Sequence, residues 1–266
     1  MTQNEPTIHN LFDLTGRAAL ITGGGGWLGS SLACALAEAG CRVVIGSRDR
    51  SRAQSAADQL PTTGNVKHHG IALDHMDPDS ISTGFEAALS SVGAIDILVN
   101  NGLEPSTHDL TDVSFAEFAR HQTNNAGYFE LARRVRDHAV AHGKPASIIM
   151  IGSMYGVVGS YPDAYEDVCA ASPVAYHALK GGTVHMTKHL AVHWARDNVR
   201  VNCLSPGPFP QHTAPAEMVR RLETKSPMNR MGQPHELKGA LLLLASDAGS
   251  YITGQNLIVD GGWTAW

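Results

Sequence analysis

Cysteine is scarce in this chain: four in 266 residues, Cys34, Cys41, Cys169 and Cys203, with no Cys-x-x-Cys pair. Such wide spacing gives no disulfide framework and reads as isolated structural thiols of a reducing compartment. Basic charge is in deficit, with 20 Lys plus Arg against 25 Asp plus Glu and a formal net charge of −5. A nucleic-acid surface needs the opposite balance. Long apolar runs are missing too; the longest, 239–245, is too short to span a bilayer. The first residues, Met1-Thr2-Gln3-Asn4-Glu5-Pro6, hold neither a positive segment nor an apolar one, so no secretory signal is read there. The expectation is a cytoplasmic protein whose partners are small molecules, neither nucleic acid nor membrane. Repeats, low-complexity tracts and charged tails are absent, and no linker divides residues 1–266.

What is present is alternation. Apolar, β-rich runs at 17–22, 42–47, 66–73, 95–100, 147–152, 200–204 and 256–259 read as strands. Helical patterns at 27–39, 50–60, 78–92, 114–142, 173–197 and 234–246 fall between them. Several strands are apolar almost throughout, as in Ile148-Ile149-Met150-Ile151. Strands covered on both faces belong to parallel sheets flanked by helices. The expected fold is therefore α/β: one domain with a doubly wound parallel sheet, a Rossmann-like three-layer sandwich. Ligands of such sheets bind beyond the carboxyl ends of the strands.

The first strand runs into Thr22-Gly23-Gly24-Gly25-Gly26-Trp27-Leu28-Gly29 and then a helix. Gly24, Gly26 and Gly29 fit GxGxxG; Gly23, Gly26 and Gly29 also fit GxxGxxG. Glycines there let backbone approach a pyrophosphate, and the helix start supplies free N–H groups. The second strand ends in Ser47, Arg48 and Asp49. A small Ser47 stands where an acid would bind the ribose of NAD, and Arg48 can pair with a 2′-phosphate, so NADP is favoured over NAD. Asp49 keeps NAD open.

Further on, Tyr176 and Lys180 sit four apart in a helical stretch and share one face. An ammonium beside a phenol favours phenolate, so Lys180 is expected to lower the Tyr176 pKa from about 10. A phenol tuned that way can pass a proton at neutral pH. Ser153, just after the 147–152 strand, can hydrogen-bond a substrate oxygen and stabilise developing charge.

These motifs, in this order, resemble the short-chain dehydrogenase/reductase family from Leu14 to Trp263. Asn100-Asn101-Gly102 resembles the family's NNAG segment, whose first Asn stabilises the central sheet. Asn124 resembles the helix asparagine that holds a water of the proton relay, leading from Lys180 to solvent. Ser153, Tyr176 and Lys180 resemble the catalytic serine and the YxxxK pair, with Lys180 also on the nicotinamide ribose. Ser205-Pro206-Gly207 resembles the turn that closes over the nicotinamide. The resemblance implies catalysis by Asn124, Ser153, Tyr176 and Lys180. It implies a cofactor site of Gly23, Gly24, Gly26, Trp27, Leu28, Gly29, Ser47, Arg48, Asp74, Asn100, Gly102, Tyr176, Lys180, Pro206 and Gly207. It also implies a homo-oligomer, dimer or tetramer.

Four features depart from the family pattern. Trp27 occupies a glycine position. Gly102 and Leu103 replace Ala-Gly. Gln211 lies where a Thr often meets the carboxamide, with Thr213 as a substitute. Ser153 and Tyr176 are 176 − 153 = 23 positions apart, wider than usual, so 154–173 forms an insertion beside the substrate. Its Tyr155, Tyr161 and Tyr165, with Ser153, Tyr176 and Phe209, are the candidate substrate contacts. Asp163, Glu166 and Asp167 would repel a polyanion if they faced the pocket.

The chain as a whole is similar to gluconate 5-dehydrogenase-like members, which implies an NAD(P)-dependent oxidoreductase acting on a sugar, sugar acid or other polyhydroxylated alcohol. The alternatives are a reductase of 3-oxoacyl thioesters or other lipid-like ketones, an extended-type epimerase or dehydratase, and a non-catalytic NADP-binding sensor or scaffold. His185, His189 and His193 repeat every four residues. No HExxH pattern accompanies them, so no metal is expected, and the resemblance places that stripe in a subunit interface.

Overall fold

A computed structural model describes residues 5–62, 64, 66–106 and 108–266. Seven strands form its sheet: β1 (Ala18–Thr22), β2 (Arg42–Ser47), β3 (His69–Ala72), β4 (Ile97–Asn100), β5 (Ala146–Ile151), β6 (Val199–Pro206) and β7 (Asn256–Val259). Their order is β3-β2-β1-β4-β5-β6-β7, and every pairing is parallel. The helices are α1 (Ile8–Phe12), α2 (Trp27–Glu38), α3 (Arg50–Asp58), α4 (Pro78–Val92), α5 (Phe115–Ala141), α6 (Val174–Trp194), α7 (Ala216–Glu223) and α8 (Lys238–Ala245).

The period-2 alternation of strands sorts the core into two layers. Leu20, Val44, Leu98, Ile148 and Val201 face α4, α5 and α6. Their neighbours Ile21, Ile45, Val99, Ile149 and Leu204 face α2, α3 and α8. Apolar residues on both faces are what made these strands legible as a buried parallel sheet. The chain winds outward from β1 to β3, then crosses back to β4 on the other side of β1. The switch point between β1 and β4 opens the crevice.

The structure differs from expectation in four places. The 66–73 run pairs only over His69–Ala72, because the His68 ring rather than backbone accepts the β2 hydrogen bond, from Val43 N at 3.1 Å. The 234–246 helix is a 3₁₀ turn, Pro234–Leu237, followed by α8. Two helices, α1 and α7, had no signal long enough to read. The insertion contains two single 3₁₀ turns, Met154–Gly156 and Pro162–Ala164.

Candidate active site

Two clefts meet above the carboxyl ends of the strands. The first, about 410 Å³, runs over β1, β2 and β4 and is lined by Gly23, Gly26, Ser47, Arg48, Asp74 and Gly102, among others. Its floor is tied across the switch point. Thr22 Oγ1 accepts from the backbone N–H groups of Asn101 (3.0 Å) and Gly102 (2.8 Å), and Asn101 Nδ2 donates to the Thr22 and Gly23 carbonyls. Glycine is required at position 29, where a Cβ would lie 2.1 Å from the Gly23 carbonyl oxygen. Gly29 and Gly24 thus act through packing, Gly24 against Ile21 and Ile45. The α2 helix starts at Gly26 without a side-chain cap, which leaves its first N–H groups to a ligand.

Three residues assigned to this cleft lie elsewhere. Leu28 packs on the apolar layer of α2. Asn100 is fully buried and donates to the Tyr128 carbonyl at 2.9 Å, so it braces the sheet against α5. Trp27 turns away toward the 205–213 segment, donating from Nε1 to the Phe209 carbonyl at 3.0 Å, with its ring edge-on to His212. Asp49 does not face the cleft chemistry either: its carboxylate caps α3, accepting from Ser51 N (2.8 Å) and Arg52 N (3.1 Å). Asp74 accepts from Met76 N at 2.9 Å.

The second cavity, about 380 Å³, is lined by Ser153, Tyr155, Tyr165, Tyr176, Gly207 and Phe209, together with Leu103, Met154, Met218 and Leu222. Leu103 lines both clefts, a side chain set at their junction. Ser153 follows β5 by two residues and caps a 3₁₀ turn by accepting from Tyr155 N at 3.1 Å. Its hydroxyl and the Tyr176 phenol line the same cavity. Lys180, one turn on in α6, is buried; its ammonium donates to the Ile151 carbonyl at 2.6 Å and sits 5.6 Å from the centre of the Tyr176 ring.

This arrangement reverses one expectation. Burial pushes the Tyr176 phenol above its ordinary value, with the Ser153 hydroxyl pulling weakly the other way. Burial also pushes Lys180 down to about 8. A lysine whose own charge is desolvated, and which is engaged with a carbonyl, does not overcome the desolvation of the phenol. Burial thus moves the two proton affinities apart, the phenol upward and the ammonium downward.

Asn124 is fully buried and committed on every side. Its Oδ1 accepts from Glu104 N (2.8 Å) and meets His75 Nε2 (2.7 Å), while Nδ2 donates to the carbonyls of His121 (2.8 Å) and Glu104 (3.2 Å). The Asn124 side chain therefore clamps residue 104 rather than reaching Lys180. Three residues around it carried no sequence signal. His75 lines the first cleft. His121 is buried with an unpartnered Nε2, its ring 6.4 Å from that of Tyr176. Glu104 lines the cleft and takes the Arg120 guanidinium at 2.5 and 2.9 Å. A lone His or Glu in a sequence says nothing of such neighbours.

The insertion builds the outer wall of the second cavity. Tyr155 and Tyr165 line it with their hydroxyls bonded to each other at 2.8 Å. Tyr161 does not line it: the ring packs edge-on against Trp263, beneath the Lys225 ammonium. Asp163 faces Lys225, at 2.5 Å, and is held below the usual carboxylate range by that hydrogen bond. Arg221 Nη1 ties the Asp163 and Glu166 carbonyls at 2.9 and 2.8 Å. Gln211 and Thr213 are both exposed and line neither cavity. His185, His189 and His193 lie exposed along α6. Among the described residues no group of three or more His, Cys, Asp or Glu is set to hold a metal ion, and no helix is long and apolar enough to cross a membrane.

Comparison with known proteins places this geometry. The family model described as Enoyl-(Acyl carrier protein) reductase matches residues 27–264. D-arabinitol 2-dehydrogenase (ribulose-forming) of Scheffersomyces stipitis is 33% identical, covering 96% of each chain. The peroxisomal 2,4-dienoyl-CoA reductase of Danio rerio is 34% identical over 95% of this chain and 82% of its own. The structure of a gluconate 5-dehydrogenase from Burkholderia cenocepacia, in complex with NADP and tartrate, superposes with a TM-score of 0.86 at 31% identity, covering 98% of this chain and all of the other.

Proposed function

The chain belongs to the short-chain dehydrogenase/reductase family, and from that membership we propose an NADP-preferring dehydrogenase of a polyhydroxylated secondary alcohol. Its activity as an NAD(P)-dependent oxidoreductase acting on CH–OH groups follows from the family and the relatives. The nicotinamide supplies the hydride chemistry; the protein supplies placement and proton handling. The observation that carries the reading is the meeting of Ser153, Tyr176 and the buried Lys180 where the two clefts join at Leu103.

Ser153 holds the substrate oxygen. Tyr176 gives that oxygen a proton in reduction and takes one in oxidation. Lys180, with an ammonium near its own titration point, stabilises phenolate when it forms. The first cleft fits a dinucleotide: the uncapped start of α2 suits a pyrophosphate, and Ser47 leaves room at the β2 tip for Arg48 and Arg52 to meet a 2′-phosphate. Asp49, spent on capping α3, leaves no acid at that tip for NAD. An assembly of two or four copies in the cytoplasm completes the reading.

The polyol substrate rests on the arabinitol and gluconate dehydrogenases among the relatives. A lipid-like ketone is the second reading, favoured by the Leu103, Met154, Phe209, Met218 and Leu222 side chains around the carbinol position and by the dienoyl-CoA reductase relative. A panel of pentitols, hexitols, sugar acids and apolar cyclic or acyl ketones, followed at the nicotinamide absorbance, separates them. Turnover confined to apolar ketones would overturn the polyol assignment. Tyr176→Phe should keep cofactor binding and lose roughly 10²- to 10⁴-fold in turnover; an active variant would remove Tyr176 as proton donor.

A further inference from the structure

Glu104 lines the first cleft and is held there at backbone and side chain. Its backbone is clamped on both sides by the Asn124 amide, N–H at 2.8 Å and carbonyl at 3.2 Å. Its carboxylate is gripped by Arg120 through both oxygens, at 2.5 and 2.9 Å. From that fixed position Oε2 reaches Arg48 Nη1 at 3.9 Å. Arg48, by contrast, leaves the tip of β2 with a side chain 70% exposed. Arg52 lines the same cleft from the first turn of α3.

We propose that Glu104 is a specificity-determining residue, a fixed carboxylate that competes with a 2′-phosphate for Arg48 and thereby limits the preference for NADP over NAD. The inference rests on the NADP reading above. A phosphate dianion settling between Arg48 and Arg52 draws Arg48 off Glu104, and it meets the Glu104 charge as it arrives. NAD brings no such group and leaves the Arg48–Glu104 pair as it is. Arg120 sets the strength of the competition. While it neutralises Glu104, Arg48 is held loosely; without it, Glu104 turns its whole charge on Arg48.

The test uses fragments that differ only in the phosphate, 2′,5′-ADP and 5′-ADP, titrated calorimetrically into the full-length protein at one salt concentration. Glu104→Gln should tighten 2′,5′-ADP about 3- to 10-fold and leave 5′-ADP within 2-fold, the range set by one solvent-screened ion pair plus one repulsion. Arg120→Met, which keeps Glu104 charged, should weaken 2′,5′-ADP about 2- to 5-fold by the same logic. Equal changes for both fragments, or none for 2′,5′-ADP in either variant, would overturn the proposal. Arg48→Ala reports on the underlying reading separately. If it leaves the ratio of the two affinities unchanged, the NADP assignment itself fails; if it collapses the ratio while Glu104→Gln does not move it, only the role of Glu104 fails.

Discussion

In the first cleft the floor is built from the backbone of the glycine loop and the β4 end. Gly23 and Gly26 turn the chain, Gly29 lets α2 approach β1, and Thr22 bonds the main chain of the neighbouring strand end. Across Leu103, the substrate cavity is walled by side chains brought from far apart in sequence: Tyr155 and Tyr165 from the insertion, Met218 and Leu222 from α7, Phe209 from the turn after β6. A small apolar cluster of Met154, Ala164, Tyr165, Leu222, Met231 and Trp263 holds that wall, apart from both layers of the sheet core. The first region therefore tolerates little change in the backbone of its glycine loop, and its charged side chains, Arg48, Arg52 and Glu104, gather at the β2 rim. The second can be re-lined without touching the sheet. A family can keep one cofactor and change substrates on such a division.

The sharpest break on the backbone side is Gly29→Ala. Its Cβ would stand 2.1 Å from the Gly23 carbonyl oxygen and 2.7 Å from Asn101 Nδ2, so the loop or the helix must shift. A loss of about 3 kcal/mol or more is expected, read as a lowered Tm together with lost NADP binding. A variant that melts and binds like the parent would show that the close approach of α2 to β1 is not needed.

Lys180 lies between the regions, and removing it should separate stability from activity. An ammonium pushed down to about 8 from 10.5 by burial costs the folded state on the order of 3 kcal/mol below pH 8. The sign follows from proton counts. Between pH 8 and 10.5 the unfolded chain keeps a proton that the folded protein has released, so stability rises with pH across that window. Lys180→Met should abolish turnover and yet melt higher than the parent at pH 7, by less than the full cost because the bond to the Ile151 carbonyl is lost. The advantage should shrink as pH rises toward 10. Melting curves at pH 7 and 9.5 check it; a destabilised variant at pH 7 would mean that the ammonium bond outweighs its desolvation.

The division also explains what was legible beforehand. The sheet showed because burial on both faces demands apolar residues at consecutive positions, a signal local to each strand. The glycine loop, Ser47, Arg48, Ser153 and the Tyr176–Lys180 spacing showed because each sits at a strand end or on one helix turn. The insertion did not. Tyr161 stands beside Tyr155 and Tyr165 in sequence, but it packs on Trp263, about a hundred positions later. The Asp163 and Glu166 contacts come from Arg221 and Lys225. The Tyr176 pKa went the wrong way for a related reason: helix spacing reports which groups are neighbours, while burial depends on the whole fold. Asn124, His75, His121 and Glu104 form a cluster whose members come from three separate segments.

Arg221→Ala tests whether the side-chain wall is separable. Arg221 holds the insertion by two carbonyls and is itself steadied by Glu217 at 2.8 Å. Its loss should loosen residues 163–166 and raise the substrate KM roughly tenfold, the effect of one or two hydrogen bonds to a charged group, with the NADP Kd unchanged. Matching changes in both constants would show that the two clefts are one mechanical unit.

Trp27 is where the regions do touch, and it gives the smallest and most discriminating effect. It leaves the first turn of α2, beside the backbone wall, and reaches the Phe209 carbonyl of the side-chain wall at 3.0 Å. Trp27→Phe keeps an aromatic ring against His212 and removes the donor alone. The expected cost is about 1 kcal/mol, a roughly fivefold rise in substrate KM at saturating NADP. Because the bond joins a helix start that is fixed by the glycine loop to a turn that is not, the loss should fall on the turn. The NADP Kd should stay within twofold. A weakened cofactor with an unchanged substrate KM would reverse that order, making the turn after β6 the support and the glycine loop the part that it holds in place.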